Sequence, residues 1–129
     1  MDSDVLVVDD SAAIRKILTR VLRQTGMAIQ TIHEAGDGQE ALALMAQHRI
    51  DLVLSDINMP KMDGLQLLAS LKASPQWRKI PVVMITTEGG ETKVAEAVRL
   101  GAAGYVRKPF TADQIKEKLV GILEPAPIL

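Results

Sequence analysis

The stretch Val5-Leu-Val-Val-Asp-Asp10 places four apolar residues directly before two carboxylates. A continuous apolar run of this length, rich in valine, is typical of a strand that is buried on both faces, as in a parallel sheet. The pattern returns at Leu52-Val-Leu-Ser-Asp56 and at Val82-Val-Met-Ile-Thr86, where polar residues again close the run. Weaker candidates are Ile29 to Ile32 and Gly104 to Val106, so the sequence predicts five strands.

Segments with helical periodicity lie between these runs. Apolar residues from Ile14 to Leu22 recur at intervals of three and four, which predicts an amphipathic helix. Four further helices are predicted. Asp37 and Glu40 form a cap before Ala41 and Met45, and residues 64–71 form the next helix. The last two are indicated by Val94, Ala95, Val98 and Gly101, and by the capping box 111–114 before Ile115, Leu119 and Ile122. Strict alternation of strand and helix predicts a parallel α/β sheet with helices on both faces.

Length and composition narrow the function classes. A chain of 129 residues is the size of one domain, so a single domain is expected over 1–129, with 124–129 as a short C-terminal tail. The net charge of −1 excludes the basic surface of a dedicated nucleic-acid binder, and the absence of cysteine excludes thiolate metal sites and cysteine nucleophiles. No uncharged stretch exceeds ten residues, and acidic residues stand where a signal peptide needs basic ones. The sequence therefore predicts a soluble, cytoplasmic protein without membrane insertion.

Polar residues collect at the carboxyl ends of the predicted strands, where open α/β sheets bind their ligands. Asp9 and Asp10 follow the first strand and Asp56 closes the third, while Thr86 and Lys108 follow the fourth and fifth. Should the first and third strands be neighbours, three carboxylates converge and repel one another. A hard divalent cation with oxygen ligands is the natural compensation.

Each of these residues also has an ordinary structural explanation. Asp10 or Ser11 could cap the first helix, Lys108 could be a solvated surface charge, and Thr86 could bond to backbone at a strand end. Taken singly, the structural explanation is favoured for every one of them. Five polar residues at the carboxyl ends of four apolar strands favour function instead.

Four motifs, in order, resemble the receiver domain of bacterial response regulators. They are Val-Val-Asp9-Asp10-Ser11, Leu-Ser-Asp56-Ile-Asn58-Met-Pro60-Lys-Met-Asp63-Gly64, Ile-Thr86-Thr, and Gly-Tyr105-Val-Arg-Lys108-Pro109-Phe110. The resemblance spans about Asp4 to Leu123 and is closest to the single-domain chemotaxis regulators of the CheY type. It implies a flavodoxin-like (βα)5 three-layer fold with strand order 2-1-3-4-5.

The resemblance also implies a role for each site residue. Asp56 would be the phosphoacceptor, phosphorylated from a phosphohistidine of a chemotaxis-type sensor histidine kinase. Mg²⁺, with Mn²⁺ as a possible substitute, would be held by Asp9, Asp10, Asp56 and the backbone carbonyl of Asn58. Lys108 would pair with Asp56 at rest and with a phosphoryl oxygen afterwards, and Thr86 would hydrogen-bond another phosphoryl oxygen. The protein would then be a signalling domain that assists its own phosphorylation and dephosphorylation rather than an enzyme.

The output side follows from the same resemblance. Thr86 and Tyr105 would act as the switch, altering the face made by the fourth helix, fifth strand and fifth helix. Asn58 and Glu88 would tune autodephosphorylation and allow a fast reset, and the Lys108–Pro109 bond is expected to be cis. Expected partners are a downstream target, with the flagellar switch as one candidate, and a phosphatase. The enteric chemotaxis regulators carry adjacent lysines at the start of the fourth helix, on the face that meets the flagellar switch, whereas this chain has Gly90 and Glu91 there.

Other interpretations remain at this point. The chain could be the receiver of a larger DNA-binding regulator or hybrid kinase, or a small phosphate-handling hydrolase of similar topology. A flavin-binding protein is disfavoured because only three aromatic residues are present, namely Trp77, Tyr105 and Phe110. His33 and His48 lack metal-ligand spacing and are expected at the surface or its boundary, and Trp77 is expected to anchor a loop.

Overall fold

The computed structural model describes residues 3–87 and 91–123, with backbone alone for Glu91 and Leu123. In this part of the chain, strands and helices alternate strictly, as predicted. The elements are β1 (Ser3–Val8), α1 (Ala12–Gln24), β2 (Ile29–Ala35), α2 (Gly38–Gln47), β3 (Leu52–Asp56), α3 (Gly64–Ala73), β4 (Val82–Thr86), α4 (Glu91–Arg99), β5 (Gly104–Arg107) and α5 (Ala112–Leu123). The tail predicted at 124–129 lies outside the described residues.

All five strands form one parallel sheet in the order β2-β1-β3-β4-β5, which confirms the predicted topology. In the register of β1 on β3, Val8 lies opposite Ser55. The residues that follow these two positions, Asp9 and Asp56, therefore leave the sheet side by side. Strand β4 lies beyond β3 and brings Ile85 opposite Asp56, so Thr86 ends at the same edge.

The sheet divides the apolar core into two layers. Leu6 and Val8 of β1 point into the layer covered by α2, α3 and α4, whereas Val5 and Val7 point into the layer covered by α1 and α5. Burial on both faces explains why these strands appear in sequence as continuous apolar runs rather than as alternating ones. Ile115 and Leu119 of α5 face the second layer, as the predicted stripe requires.

Side-chain caps fix where the helices begin. Ser11 accepts the N–H of Ile14 at 3.3 Å, and Asp37 accepts the N–H of Glu40 at 2.9 Å. The Glu40 carboxylate accepts the N–H of Gly36 and not that of the cap residue, so the arrangement at α2 is only half a capping box. A full box opens α5, as predicted from residues 111–114. Another opens α3, where Asp63 and Gln66 cap each other's backbone N–H groups.

Helix α4 differs from its predicted face. The expected apolar stripe included Ala95 and Val98, yet Ala95 is exposed and Val98 is 58% exposed, whereas Ala97 is buried. Small side chains give a weak amphipathic signal, and packing of α4 against the first core layer decides which of them turns inward. The outcome is a helix with an apolar residue on its outer surface.

Two further expectations concern single residues. Trp77 is partly buried in the turn between α3 and β4 and packs against the first core layer, which confirms the loop anchor. His33 of β2 and His48 at the end of α2, distant in sequence, have ring centroids 4.4 Å apart.

Strand β2 is three residues longer than predicted at its carboxyl end, because an edge strand with exposed polar residues gives little apolar signal. No helix in 3–87 or 91–123 has both the length and the apolar character needed to cross a membrane.

Candidate functional site

Three carboxylates meet at the carboxyl edge of the sheet. Oxygen atoms of Asp9, Asp10 and Asp56 lie within 4.8 Å of one another. Asp9 and Asp56 are 1% and 8% exposed, whereas Asp10 is open to solvent. The pairing of β1 with β3 produces this convergence, as the sequence predicts. Such a set of oxygen donors, two buried and one at the surface, suits a hard divalent cation.

Lys108 supplies the positive charge of the site. Its ammonium Nζ lies 2.8 Å from Asp9 Oδ2 and 3.7 Å from Asp56 Oδ1. The resemblance suggested Asp56 as the resting partner, but the shorter contact is with Asp9. Asp9 directs its other oxygen to the N–H of Ser11, and Asp56 Oδ1 already accepts the N–H of Ile57. The single lysine therefore bridges both buried carboxylates.

The backbone around Lys108 fixes its position. The N–H of Lys108 donates to the carbonyl of Thr86 at 2.7 Å, which ties the segment after β5 to the end of β4. The Lys108–Pro109 peptide bond is cis, as expected. Thr86 itself is buried at the end of β4, beside this segment, which places its hydroxyl-bearing side chain at the edge that also carries Asp56.

Burial makes Asp56 harder to ionise. Desolvation raises the pKa of this carboxyl above its ordinary value, and the nearby Asp9 charge raises it further. The Lys108 ammonium and the backbone N–H groups of Ile57 and Asn58 act in the opposite direction, yet the net shift is upward. The site thus holds a carboxylate that is held in place by hydrogen bonds but poorly solvated.

Tyr105 lies on the outside of the sheet edge, on β5. Its side chain is 43% exposed, and the Lys118 ammonium of α5 lies 5.6 Å from its ring centroid. In the sheet register Tyr105 is opposite Met84, while Thr86 is opposite Arg107. The ring borders a groove between β5 and α5 that also includes Pro109 and Glu117.

Asn58 lies in the loop after β3, where its side chain is exposed and accepts a hydrogen bond from Lys93 of α4 at 2.6 Å. Nothing in the sequence connects these two residues, because their contact depends on how α4 packs. Glu88, the other residue expected to tune dephosphorylation, lies outside the described residues.

A second contact that the sequence does not predict holds the turn after β1. Arg15 of α1 donates from Nη1 to the carbonyl of Asp9 at 2.5 Å and from Nε to Glu34 of β2 at 3.0 Å. In the sequence Arg15 was only a polar residue off the apolar face of a helix. In the structure it anchors the backbone that presents Asp9 and Asp10.

A family model described as the response regulator receiver domain matches residues 5–120. The chain belongs to this family. Its receiver domain is 40% identical over 120 residues to the chemotaxis protein CheY-3 of Vibrio cholerae, covering 93% of this chain and 91% of the relative. The solved structure of Vibrio cholerae CheY4 superposes with a TM-score of 0.85 at 34% identity, covering 95% and 100% of the two chains.

Two further similar structures contain a divalent metal ion. One is the CheX–CheY–BeF3–Mg²⁺ complex of Borrelia burgdorferi, with a TM-score of 0.83 at 32% identity, covering 93% of this chain and 88% of that one. The other is the Mn²⁺-bound form of the response regulator Rcp1, with a TM-score of 0.79 at 29% identity and coverage of 98% and 99%. These likenesses make the receiver domain a two-component response regulator of the chemotaxis type, rather than a hydrolase or a flavin protein.

Proposed function

We propose that this receiver accepts a phosphoryl group on Asp56 from the phosphohistidine of a chemotaxis-type sensor kinase, in a reaction that requires Mg²⁺. The observation that carries the proposal is the position of the Asp56 carboxylate. It lies at the carboxyl edge of the sheet within 4.8 Å of two further carboxylates and 3.7 Å from the Lys108 ammonium. A nucleophile, a cation site and a fixed positive charge are the parts that phosphoryl transfer needs.

In the proposed transfer, an Asp56 carboxylate oxygen forms a bond to phosphorus as the bond from phosphorus to the histidine nitrogen breaks. The imidazole leaves with the electron pair, and the product on Asp56 is an acyl phosphate. Charge in the loose transition state lies on the three peripheral phosphoryl oxygens. Lys108 lies beside Asp9 at the carboxyl edge of the sheet, where its ammonium would neutralise one of these oxygens. The Thr86 hydroxyl is proposed to hydrogen-bond another. The protein thereby assists its own modification and carries a stoichiometric mark.

The chemistry of the donor set supports a divalent cation at this site. Carboxylates of Asp9, Asp10 and Asp56, with the backbone carbonyl of Asn58, would hold Mg²⁺ or, in its place, Mn²⁺. Bound there, the cation would offset the mutual repulsion of the carboxylates and the charge of the incoming phosphoryl group. The Mg²⁺ and Mn²⁺ named for the Borrelia and Rcp1 structures support the same assignment for this chain.

We further propose that phosphorylation alters the outer face of α4, β5 and α5. A phosphoryl group adds about −1.5 to −2 charge, which must bias an element with two arrangements. Thr86 and Tyr105 are the proposed switch, since one ends β4 beside Lys108 and the other borders the groove on β5. Val98, Tyr105 and Val120 supply exposed apolar surface on the three elements of this face.

A downstream target in chemotaxis is the proposed partner of that face, with the flagellar switch as one candidate. Gly90 and Glu91 replace the adjacent lysines of the enteric regulators, so charge recognition by a target must differ there. A phosphatase is proposed as a further partner, with Asn58 and Glu88 tuning the intrinsic rate. The Borrelia complex, in which CheY is bound to CheX, supports binding of a second protein to a receiver of this type.

The test is intact mass and peptide mapping after incubation with acetyl phosphate and Mg²⁺. We expect labile phosphate on Asp56, none after chelation of the metal, and none in Asp56→Asn. Asp63→Asn is the matched control, because asparagine retains the cap of α3 while one loop carboxylate is lost. Phosphate at another residue, or no incorporation by the folded, Mg²⁺-bound wild type, would contradict the proposal and indicate a receiver that works through protein contacts alone.

A further inference from the structure

A side-chain hydrogen bond joins α4 to the loop that follows the phosphoacceptor strand. Lys93, in the first turn of α4, donates from Nζ to Asn58 Oδ1 at 2.6 Å. Both side chains are exposed, so the contact lies on the solvent side of the site and not in its buried base. It ties two segments that are 35 residues apart in the chain.

Asn58 connects this contact to Asp56. Its backbone N–H acts on the Asp56 carboxyl and opposes the rise of its pKa, while its side chain is held by Lys93. One residue therefore faces the nucleophile through its backbone and the α4 cation through its side chain. Fixing the Asn58 side chain also limits the freedom of the loop whose carbonyl is proposed to reach the cation.

Lys93 is the basic residue nearest the start of α4, and the next one, Arg99, lies in the last turn of the helix. Residues 87–98 contain Glu88, Glu91 and Glu96 but no arginine or second lysine. Lys108 is already engaged by Asp9 and Asp56, with its side chain only 13% exposed. Of these two lysines, Lys93 is the exposed one and its described partner is an uncharged amide, so its ammonium can respond to charge that appears at the mouth of the site.

Loss of the phosphoryl group is a hydrolysis that must start from this mouth. A water oxygen forms a bond to phosphorus, the bond from phosphorus to the Asp56 oxygen breaks, and the carboxylate leaves with the electron pair. The water releases its protons, and inorganic phosphate is the product. In-line attack places the water opposite the Asp56 oxygen. Asp56 is buried, whereas Asn58, two residues further along the loop, and its partner Lys93 are exposed. We therefore infer that the water approaches past this pair.

We propose that Lys93 is a positioning residue that prolongs the phosphorylated state by restraining Asn58 and covering the approach of the hydrolytic water. The inference rests on the proposed phosphorylation of Asp56 and adds a determinant of its lifetime. Two effects act in the same direction. The bridge to Asn58 closes the mouth, and the ammonium attracts the new phosphoryl charge and stays over it.

The experiment measures decay of the acyl phosphate in Mg²⁺ buffer after removal of a small phosphodonor. Wild type is compared with Lys93→Met, Lys93→Arg and Lys79→Met, the last being an exposed lysine in the turn between α3 and β4. We expect Lys93→Met to lose phosphate roughly two- to fivefold faster, the range that an exposed charged contact supports. Lys93→Arg should retain the slow decay, and Lys79→Met should match the wild type.

Salt separates the proposed role from a merely structural one. Added salt should speed decay in the wild type by screening Lys93 and leave the Lys93→Met rate nearly unchanged, while the melting temperatures of the two proteins stay equal. Decay in Lys93→Met at the wild-type rate, or slower, would overturn the inference while labelling of Asp56 stands. Failure of the wild type to take label on Asp56 would instead contradict the proposed function, and the inference falls with it.

Discussion

Asp56 is a carboxylate that folding makes harder to ionise. Burial raises its pKa above the ordinary value of 3.8, and the unfolded chain ionises near that ordinary value. The folded state therefore loses stability as the pH rises from there through the raised pKa, and the loss is complete once the pH exceeds the raised pKa. Asp56→Asn removes this loss of stability, because asparagine does not ionise. We expect this variant, in metal-free buffer, to melt above the wild type near pH 7 and to show no such gain below the ordinary pKa.

Thermal unfolding of both proteins across this pH range checks the expectation. Asp51→Asn is a useful comparison, because Asp51 is another partly buried carboxylate of the sheet region, bonded to the N–H of Asp4. A melting temperature of Asp56→Asn below that of the wild type at neutral pH would show that Lys108 stabilises the ionised carboxylate more than burial penalises it.

Lys108 is the residue whose removal should affect stability and cation binding in opposite directions. Its ammonium lies 2.8 Å from the buried Asp9 and 3.7 Å from Asp56. Lys108→Met leaves both carboxylates without this cation, which we expect to cost about 3 kcal/mol of metal-free unfolding free energy at neutral pH. The same loss removes a competitor of Mg²⁺, so Mg²⁺ should bind more tightly than in the wild type.

Denaturant unfolding with and without Mg²⁺, together with titration calorimetry, measures both effects. Lys116→Met, which changes an exposed lysine of α5, is the charge-matched control and should alter neither. Equal or weaker Mg²⁺ affinity in Lys108→Met would mean that the ammonium and the cation do not compete for the same oxygens.

Among the elements, the start of α3 is built directly against the end of β3. The N–H of Gly64 donates to the carbonyl of Ile57 at 2.7 Å, and a Cβ at Gly64 would lie 2.1 Å from the Asp56 carbonyl oxygen. No side chain fits that space without moving the backbone that carries Asp56. We expect Gly64→Ala to destabilise the protein by about 2 kcal/mol and to slow labelling of Asp56.

At Gly121 we expect the same substitution to have the opposite effect on stability. It lies inside α5, and a Cβ there would meet nothing within 4 Å. Gly121→Ala should therefore stabilise the protein by roughly 0.5–1 kcal/mol, through loss of backbone freedom in the unfolded chain, and leave labelling unchanged. Denaturant midpoints and labelling rates of the pair separate the close approach at Gly64 from a general response to alanine.

Across the whole molecule, the sequence predicts those elements whose burial leaves a continuous pattern of apolar residues. Val5 to Val8 are buried on both faces, so their continuous apolar run identified a central strand directly. The acidic convergence followed, because strand order brings Asp9 beside Asp56. The inward face of α4 could not be predicted in the same way. Packing of the helix buries Ala97 and leaves the larger Val98 exposed.

Contacts between side chains that are far apart in the chain were beyond the sequence for a similar reason. The bond of Lys93 to Asn58 and the anchoring of Asp9 by Arg15 depend on distances that only the packed helices create. The preference of Lys108 for Asp9 likewise depends on which carboxylate oxygens are already occupied by backbone N–H groups. The residue types that converge at the site could be predicted from the sequence, whereas the pairing of their side chains could not.

Separation of the two edges of the sheet leads to a last prediction. The cation site lies at the carboxyl edge, whereas Trp77, the only tryptophan, lies in the turn that leads into the opposite end of β4. Mg²⁺ should raise the unfolding free energy by about 1.4 kcal/mol at tenfold its Kd, since it binds the folded chain. The emission of folded Trp77 should stay unchanged.

Asp10 is the ligand to vary, because it is exposed and its replacement leaves the core intact. Asp10→Asn should melt close to the wild type without metal and lose most of the Mg²⁺-dependent gain, as followed by Trp77 fluorescence during thermal unfolding. An equal gain in both proteins would place the cation away from the acidic cluster. A change in folded-state emission on adding Mg²⁺ would show instead that the two edges are coupled through the sheet, because no carboxylate of the cluster lies in the turn that carries Trp77.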